Sequence, residues 1–242
     1  MKTTGKIALL LVMILIFTAV LCSCGGGSKS SAIEGPTTLN NKKKVTLDES
    51  IDAYTNGYFA KELKALAKIA AKTDDYEDIY DDFEEIWEDQ YDEYVDDYGK
   101  NFKITVKITD EDDIKSKDLK NYQETFRGYG ETLKDYAKAY KKLDKDDIED
   151  IADDLGCSKK DLDEAMGYID TMGTALKKCE VTEGYELEAT MTIKGSEDED
   201  EKDGTFDVIK IDGNWISPDY FKSVYRQIIY YFHGLTSNLA IK

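Results

Sequence analysis

The chain of 242 residues has a single histidine and no excess of positive charge, and each of these features excludes a class of protein. It holds one histidine, His233, and therefore cannot build a multi-histidine metal site. A Ser-His-Asp or Cys-His mechanism would have that one candidate base, and a lone histidine beside tyrosines is more often a packing or surface residue. The formal net charge is −19, from 32 Lys and Arg against 51 Asp and Glu. Because phosphate contacts need a basic face, we expect no nucleic-acid partner.

The N-terminus has the features of a secretory signal. Lys2 and Lys6 accompany an apolar run over residues 7–21, and a run of 15 residues suits a signal peptide. A membrane-spanning helix needs about 20 apolar residues, so the run is short for that role. The alternative interpretation is an uncleaved anchor helix with incidental cysteines.

Residues 21–24, with the sequence LCSC, resemble the lipobox of bacterial lipoproteins, in which a small residue precedes the cleaved bond and a cysteine follows it. In that family the cysteine thiol receives a diacylglyceryl group and becomes the new N-terminus. The resemblance implies a signal peptide over residues 1–23, lipidation of Cys24, and a lipid anchor on the extracytoplasmic face of the cell membrane. Cys22 is the weaker candidate, because bulky Leu21 would then precede the cleaved bond. Two acyl chains on one cysteine supply the two-signal attachment that stable anchoring needs.

The segment after the lipobox has the composition of a linker. Residues 25–31 consist of Gly, Ser and Lys, which is typical of a flexible tether. We assign residues 24–44 to the lipidated cysteine and linker, and residues 45–242 to a single extracytoplasmic domain. The triplet Lys42–Lys44 ends the linker. It is interpreted either as a contact for anionic lipid headgroups or as a solvated charge cluster.

The first two-thirds of the domain are predicted to be helical. Residues 46–49 have the spacing of a capping box, and apolar residues then recur at helical period. Glycines weaken some of these helices, most clearly Gly128 and Gly130. The predicted helices span residues 46–72, 76–98, 118–143, 146–155 and 158–177, and a last amphipathic stretch covers residues 221–232.

The last third is predicted to be mainly β-structure. Alternating apolar and polar residues predict strands over 185–194 and 205–211, in addition to an earlier strand over 102–109. Residues 195–204 form an acidic hairpin loop in this prediction, and Asp212–Gly213 form a tight turn. The order of elements predicts an α+β fold, with helices packed on one face of an antiparallel sheet, a helix-rich N-terminal two-thirds and β-hairpins near the C-terminus.

Residues 208–215, with the sequence VIKIDGNW, resemble the closing hairpin of the nuclear-transport-factor-two-like, or cystatin-like, superfold. The resemblance implies a small α+β domain of a kind that occurs in bacterial lipoproteins. The helical segment between Asp118 and Lys178 departs from the compact pattern of that family. The superfold hosts enzymes, binding modules and structural parts, so it does not by itself assign a function.

Carboxylates are concentrated in residues 74–97, 144–154 and 197–203. A calcium loop of the EF-hand type needs fixed ligand spacing, and registers that start at Asp198 or Glu199 do not have it. We therefore predict no metal site and no cofactor, and we interpret the acidic runs as solvated faces.

Cys157 and Cys179 remain after the lipobox. In an extracytoplasmic protein such a pair suggests a disulfide. One straight helix between them would hold them about 33 Å apart, whereas a break at Gly167 or Gly173 would let them meet. Both alternatives stay open, and the helical spacing favours free thiols.

The sequence contains no catalytic constellation with recognisable spacing. We predict a non-enzymatic envelope lipoprotein whose domain binds an unidentified envelope protein or small ligand. The alternative is a pocket-containing hydrolase or isomerase that uses a buried carboxylate, whose pKa burial would raise.

Overall fold

The computed structural model describes residues 37–38, 42–74, 76–219, 221–223 and 225–226. Its helices are α1 (Leu47–Thr55), α2 (Ala60–Ala70), α3 (Ile79–Tyr98), α4 (Ser116–Tyr140), α5 (Lys145–Asp154) and α6 (Lys159–Leu176). Its strands are β1 (Thr37–Thr38), β2 (Lys103–Asp113), β3 (Val181–Lys194), β4 (Glu199–Ile211) and β5 (Asn214–Ile216). The predicted signal peptide, Cys24 and His233 lie outside the described residues.

The predicted α+β class is confirmed. The strands form one antiparallel sheet in the order β1-β2-β3-β4-β5, and the hairpins β3–β4 and β4–β5 lie near the C-terminus. Helices dominate the part of the chain before β3. In the part of the chain that the structure describes, no helix has the length and apolar composition needed to cross a membrane.

Helices α1, α2, α4, α5 and α6 share one apolar core with one face of the sheet, and the second half of α3 packs on the other face. Consecutive residues of a strand point to opposite faces, so β4 contributes to two apolar clusters. Ile209 packs in the main core with Phe126 of α4 and Leu176 of α6. Val208, its neighbour, belongs to a second cluster that includes Tyr94 of α3. The fold therefore has a main core between helices and sheet and a smaller core of aliphatic and aromatic residues under α3.

The predicted first helix is divided into two helices. α1 begins after the predicted capping box, in which the Glu49 N–H donates to Thr46 Oγ1 at 3.2 Å and the Thr46 N–H donates to the Glu49 carboxylate at 3.0 Å. The helix ends where Asn56 and Gly57 adopt φ angles of 45° and 82°. A left-handed backbone cannot continue the helical hydrogen bonds, so a second helix starts at Ala60.

Helices α4 and α6 continue through the glycines that weakened their prediction. A Cβ atom on Gly130 would lie 2.5 Å from the Lys177 nitrogen and 2.9 Å from the Gly173 oxygen. The two helices therefore approach each other so closely that only a hydrogen atom fits between their backbones at this point. Gly130 and Gly173 are packing positions rather than breaks.

The sheet extends further than the sequence predicts. β2 continues to Asp113 instead of ending at residue 109, and β4 begins at Glu199 instead of residue 205. The predicted acidic loop over 195–204 is therefore wrong for its second half. The chain reverses within residues 195–198, where the Gly195 N–H donates to the Asp198 oxygen at 2.9 Å.

Hydrogen bonds from β3 explain why an acidic segment forms a strand here. Donor side chains on β3 lie opposite carboxylates on β4, and such cross-strand pairs stabilise a sheet. The three pairs are Thr190–Asp203 at 2.6 Å, Thr192–Glu201 at 3.3 Å and Lys194–Glu199 at 2.5 Å.

The predicted tight turn at Asp212–Gly213 is confirmed. These residues have φ angles of 48° and 84° and connect β4 directly to β5. A two-residue hairpin turn of type I′ requires positive φ at both central positions, which an Asp-Gly pair provides. The resemblance of this hairpin to the cystatin-like superfold stays a prediction.

The described part of the C-terminal stretch packs on α4. Phe221 is buried, and its ring centroid lies 5.1 Å from that of Phe126. Tyr225 stacks on Tyr129 with a centroid distance of 3.9 Å. The rest of this predicted amphipathic stretch lies outside the described residues.

Candidate functional site

A groove of about 650 Å³ opens between the sheet and the first turns of α4. Its lining includes one lysine, Lys115, and five carboxylates, those of Asp112, Asp113, Asp118, Glu186 and Asp207. The carboxylates come from β2, α4, β3 and β4, so the fold gathers them from four elements. The groove is therefore a negatively charged site that no single segment of sequence contains.

Strand register places three of these carboxylates in one row. Asp112 of β2 is the cross-strand partner of Glu186 on β3, and Glu186 is the partner of Asp207 on β4. Side chains at directly opposite positions lie about 4.5–5.5 Å apart, and like charges at that spacing destabilise a sheet. A positively charged ligand in the groove would remove this repulsion.

Tyr122 of α4 supplies a hydrogen-bond donor to the carboxylate at one end of this row. Its hydroxyl donates a hydrogen bond to the Asp207 carboxylate. Burial, followed by the hydrogen bond to Asp207, raises the pKa of Tyr122 above its ordinary value of 10.0. The hydroxyl therefore remains a donor at neutral pH, while Asp112 and Glu186 keep their oxygen atoms available to a ligand.

A second cavity of about 630 Å³ continues along the same face of the sheet. Its lining includes Glu188 and Thr190 of β3 and Asp203 and Thr205 of β4. Glu188 lies two residues from Glu186 along β3, and residues two apart point to the same face. The two cavities thus follow one polar face and together could accept an extended ligand.

Neither of the two cavities contains the buried carboxylate that the enzymatic alternative expects. The buried polar side chains among the described residues are Ser50, Thr55, Thr73 and Ser217. Burial, with a contribution from Asp113, raises the pKa of Glu111. Glu111, however, is the cross-strand partner of Leu187, on the face of the second apolar cluster, and it does not line either cavity.

The remaining predicted site residues are separate from the groove. Cys157 is half-buried and Cys179 is buried, and both are free thiols at the two ends of unbroken α6, so the disulfide alternative is not formed. Burial raises the pKa of the Cys179 thiol to about 11, which disfavours the reactive thiolate at neutral pH. Within residues 42–74 and 76–219, no group of three or more His, Cys, Asp or Glu side chains is arranged to hold a metal ion.

Sequence reasoning missed the groove because it treated acidic residues by their runs along the chain. Glu186 and Asp207 stand at single polar positions of alternating strands, where nothing marks them individually. Their alternation with apolar neighbours did indicate that they share a polar face, but the register between strands was needed to bring them together.

No known protein family, curated protein or solved structure matches the chain.

Proposed function

We propose that the chain is a lipid-anchored protein of the bacterial cell envelope, and that its domain is a non-enzymatic binding module on the extracytoplasmic side. The observation that carries the proposal is the lipobox-like sequence LCSC at residues 21–24, directly after a charged start and an apolar run of 15 residues. Diacylated Cys24 is the anchor, and residues 25–44 connect it to the domain.

Metabolic labelling with a clickable fatty acid tests the anchor. Wild-type protein takes up the label and fractionates with the membrane. Cys24→Ala loses both properties, whereas Cys22→Ala, a matched control two residues away, keeps them. Label and membrane association that persist in Cys24→Ala would contradict the proposal.

The acidic groove is the proposed ligand site of the module. Carboxylate oxygens accept strong hydrogen bonds from ammonium and guanidinium groups. Asp112 and Glu186 offer such oxygens in one row, beside the apolar ring of Tyr122. A small cationic ligand or a basic segment of an envelope protein fits this chemistry, and repulsion by the acidic domain disfavours anionic ligands.

A further inference from the structure

The three lysines at the end of the predicted linker are bound to the domain. Lys43 contacts both carboxylate oxygens of Asp92 at 2.9 Å, and Lys44 lies 2.7 Å from Glu88. Both acceptors stand on α3, one helical turn apart. Lys42 reaches Glu49 of α1 at 3.4 Å.

Two backbone contacts add to these ion pairs. The indole N–H of Trp87 donates to the Lys42 carbonyl oxygen at 2.9 Å. The side chain of Trp87 is only 5% exposed. Its fluorescence therefore reports whether the segment at Lys42 stays bound to the domain. Thr37 and Thr38 form β1 by pairing with Val106 and Thr105 at the edge of the sheet.

The ion pairs are weak enough to exchange. The side chains of Lys43 and Asp92 are 48% and 57% exposed, and those of Lys42 and Glu49 are similarly open. Exposed ion pairs contribute little and are screened by salt. Anionic lipid headgroups also attract lysines close to a membrane surface, so they compete for the same side chains.

We propose that residues 37–38 and 42–44 form a detachable strap, whose lysines exchange the carboxylates of α1 and α3 for anionic lipid headgroups. This proposal rests on the proposed lipid anchor at Cys24. Thirteen residues separate the bond before Cys24 from Thr37, so the strap lies within about 45 Å of the membrane surface. Release of the strap lengthens the tether by at most the span of eight residues, which is about 28 Å.

The charge distribution drives the exchange in one direction on an anionic membrane. Residues 45–217 carry 23 Lys and Arg against 49 Asp and Glu, so the domain is repelled by anionic lipid. The lysines of the strap are positively charged and are therefore attracted to anionic lipid. Detachment lets the strap approach the lipid while the domain, with its groove, moves away from it.

Trp87 fluorescence tests the strap in the lipidated full-length protein. Trp215→Phe leaves Trp87 as the single tryptophan, because the chain has two. The protein is reconstituted in vesicles of phosphatidylcholine alone or mixed with phosphatidylglycerol, at one salt concentration. We expect a red shift of Trp87 emission and stronger quenching by acrylamide on the anionic vesicles, with an unchanged circular dichroism spectrum.

Charge-matched variants separate the strap from the overall charge. Lys42→Gln, Lys43→Gln and Lys44→Gln together abolish the dependence on lipid composition. The matched triple variant at Lys117, Lys138 and Lys178, which are exposed and lie outside the strap, keeps it. The strap proposal is overturned if Trp87 emission is equal on both vesicles while the protein stays anchored, or if the strap variant still responds. Failure of the lipid anchor gives a different result from failure of the strap. Protein without a lipid anchor would not float with either type of vesicle in a density gradient.

Discussion

Tyr122 donates its hydroxyl hydrogen to the carboxylate of Asp207, and this bond joins α4 to β4 across 85 residues of sequence. It closes one end of the row of carboxylates that runs over three strands. The bond has a structural consequence, since it ties a helix to the sheet, and a functional one, since it shapes the acidic groove. The two consequences can be measured separately.

Tyr122→Phe removes the hydroxyl and keeps the ring. We expect the free energy of unfolding to fall by about 1 kcal/mol, because a hydrogen bond to a charged acceptor is lost at a partly exposed position. Tyr136→Phe is the matched control, since Tyr136 is a half-buried tyrosine of the same helix without a hydroxyl hydrogen bond to any described residue. Denaturant unfolding measures the free energy of unfolding of both variants. If the two substitutions lower it equally, the stabilising role of the Tyr122–Asp207 hydrogen bond is contradicted.

The groove predicts binding of a cationic probe. Glu186→Gln removes the central charge of the row, and we expect it to weaken binding of tetralysine by about two- to fivefold, as loss of one exposed charge pair does. Glu131→Gln removes an equal charge from the exposed side of α4, away from the groove. Isothermal titration calorimetry at fixed salt compares them. If both variants weaken binding equally, the probe senses overall charge and the groove is not the site.

Several buried and half-buried tyrosines predict a loss of stability at alkaline pH. Burial raises the pKa of Tyr80 to about 12, and burial with a neighbouring carboxylate raises those of Tyr58 and Tyr140 as well. Because their pKa is higher in the folded protein than the ordinary 10.0, these groups contribute stability below pH 10.0 that is lost as the pH rises through the folded value. Unfolding midpoints and tyrosinate absorbance, measured together against pH, check this. Complete ionisation near pH 10 with the fold intact would contradict it.

Two glycines of α4, two residues apart, should respond in opposite directions. Gly130→Ala places a methyl group against the backbone of α6, and we expect the free energy of unfolding to fall by about 1–3 kcal/mol. A Cβ atom on Gly128 would meet no other atom within 4 Å, so Gly128→Ala should raise it by up to about 1 kcal/mol. Equal effects in thermal or denaturant unfolding would show that the helices do not cross at Gly130.

The same pair shows what the sequence could and could not predict. Apolar periodicity located α4. Gly128 and Gly130 were both predicted to weaken this helix, because the sequence does not tell which of them faces another backbone. The capping box at Thr46 and the turn at Asp212 were predicted correctly, since each depends on residues close in sequence. Local signals of this kind determined the fold class.

Features that depend on strand pairing were not predictable in the same way. Glu199 and Glu201 were predicted to lie in a loop. Their hydrogen-bond donors, Lys194 and Thr192, come next to them only when the hairpin forms. The groove is a similar case, because Asp112 and Asp207 meet through a third strand. Register, rather than composition, creates both features.

The identity of the mature N-terminus is the most direct test of the central claim, which is that Cys24 anchors the protein to the membrane. Mass spectrometry of the N-terminal peptide, from protein extracted from its native membrane, measures it. We predict a chain that begins at Cys24 and carries a thioether-linked diacylglyceryl group. A chain that begins at Met1, or a mature protein in which Cys24 is present without lipid, would contradict the account.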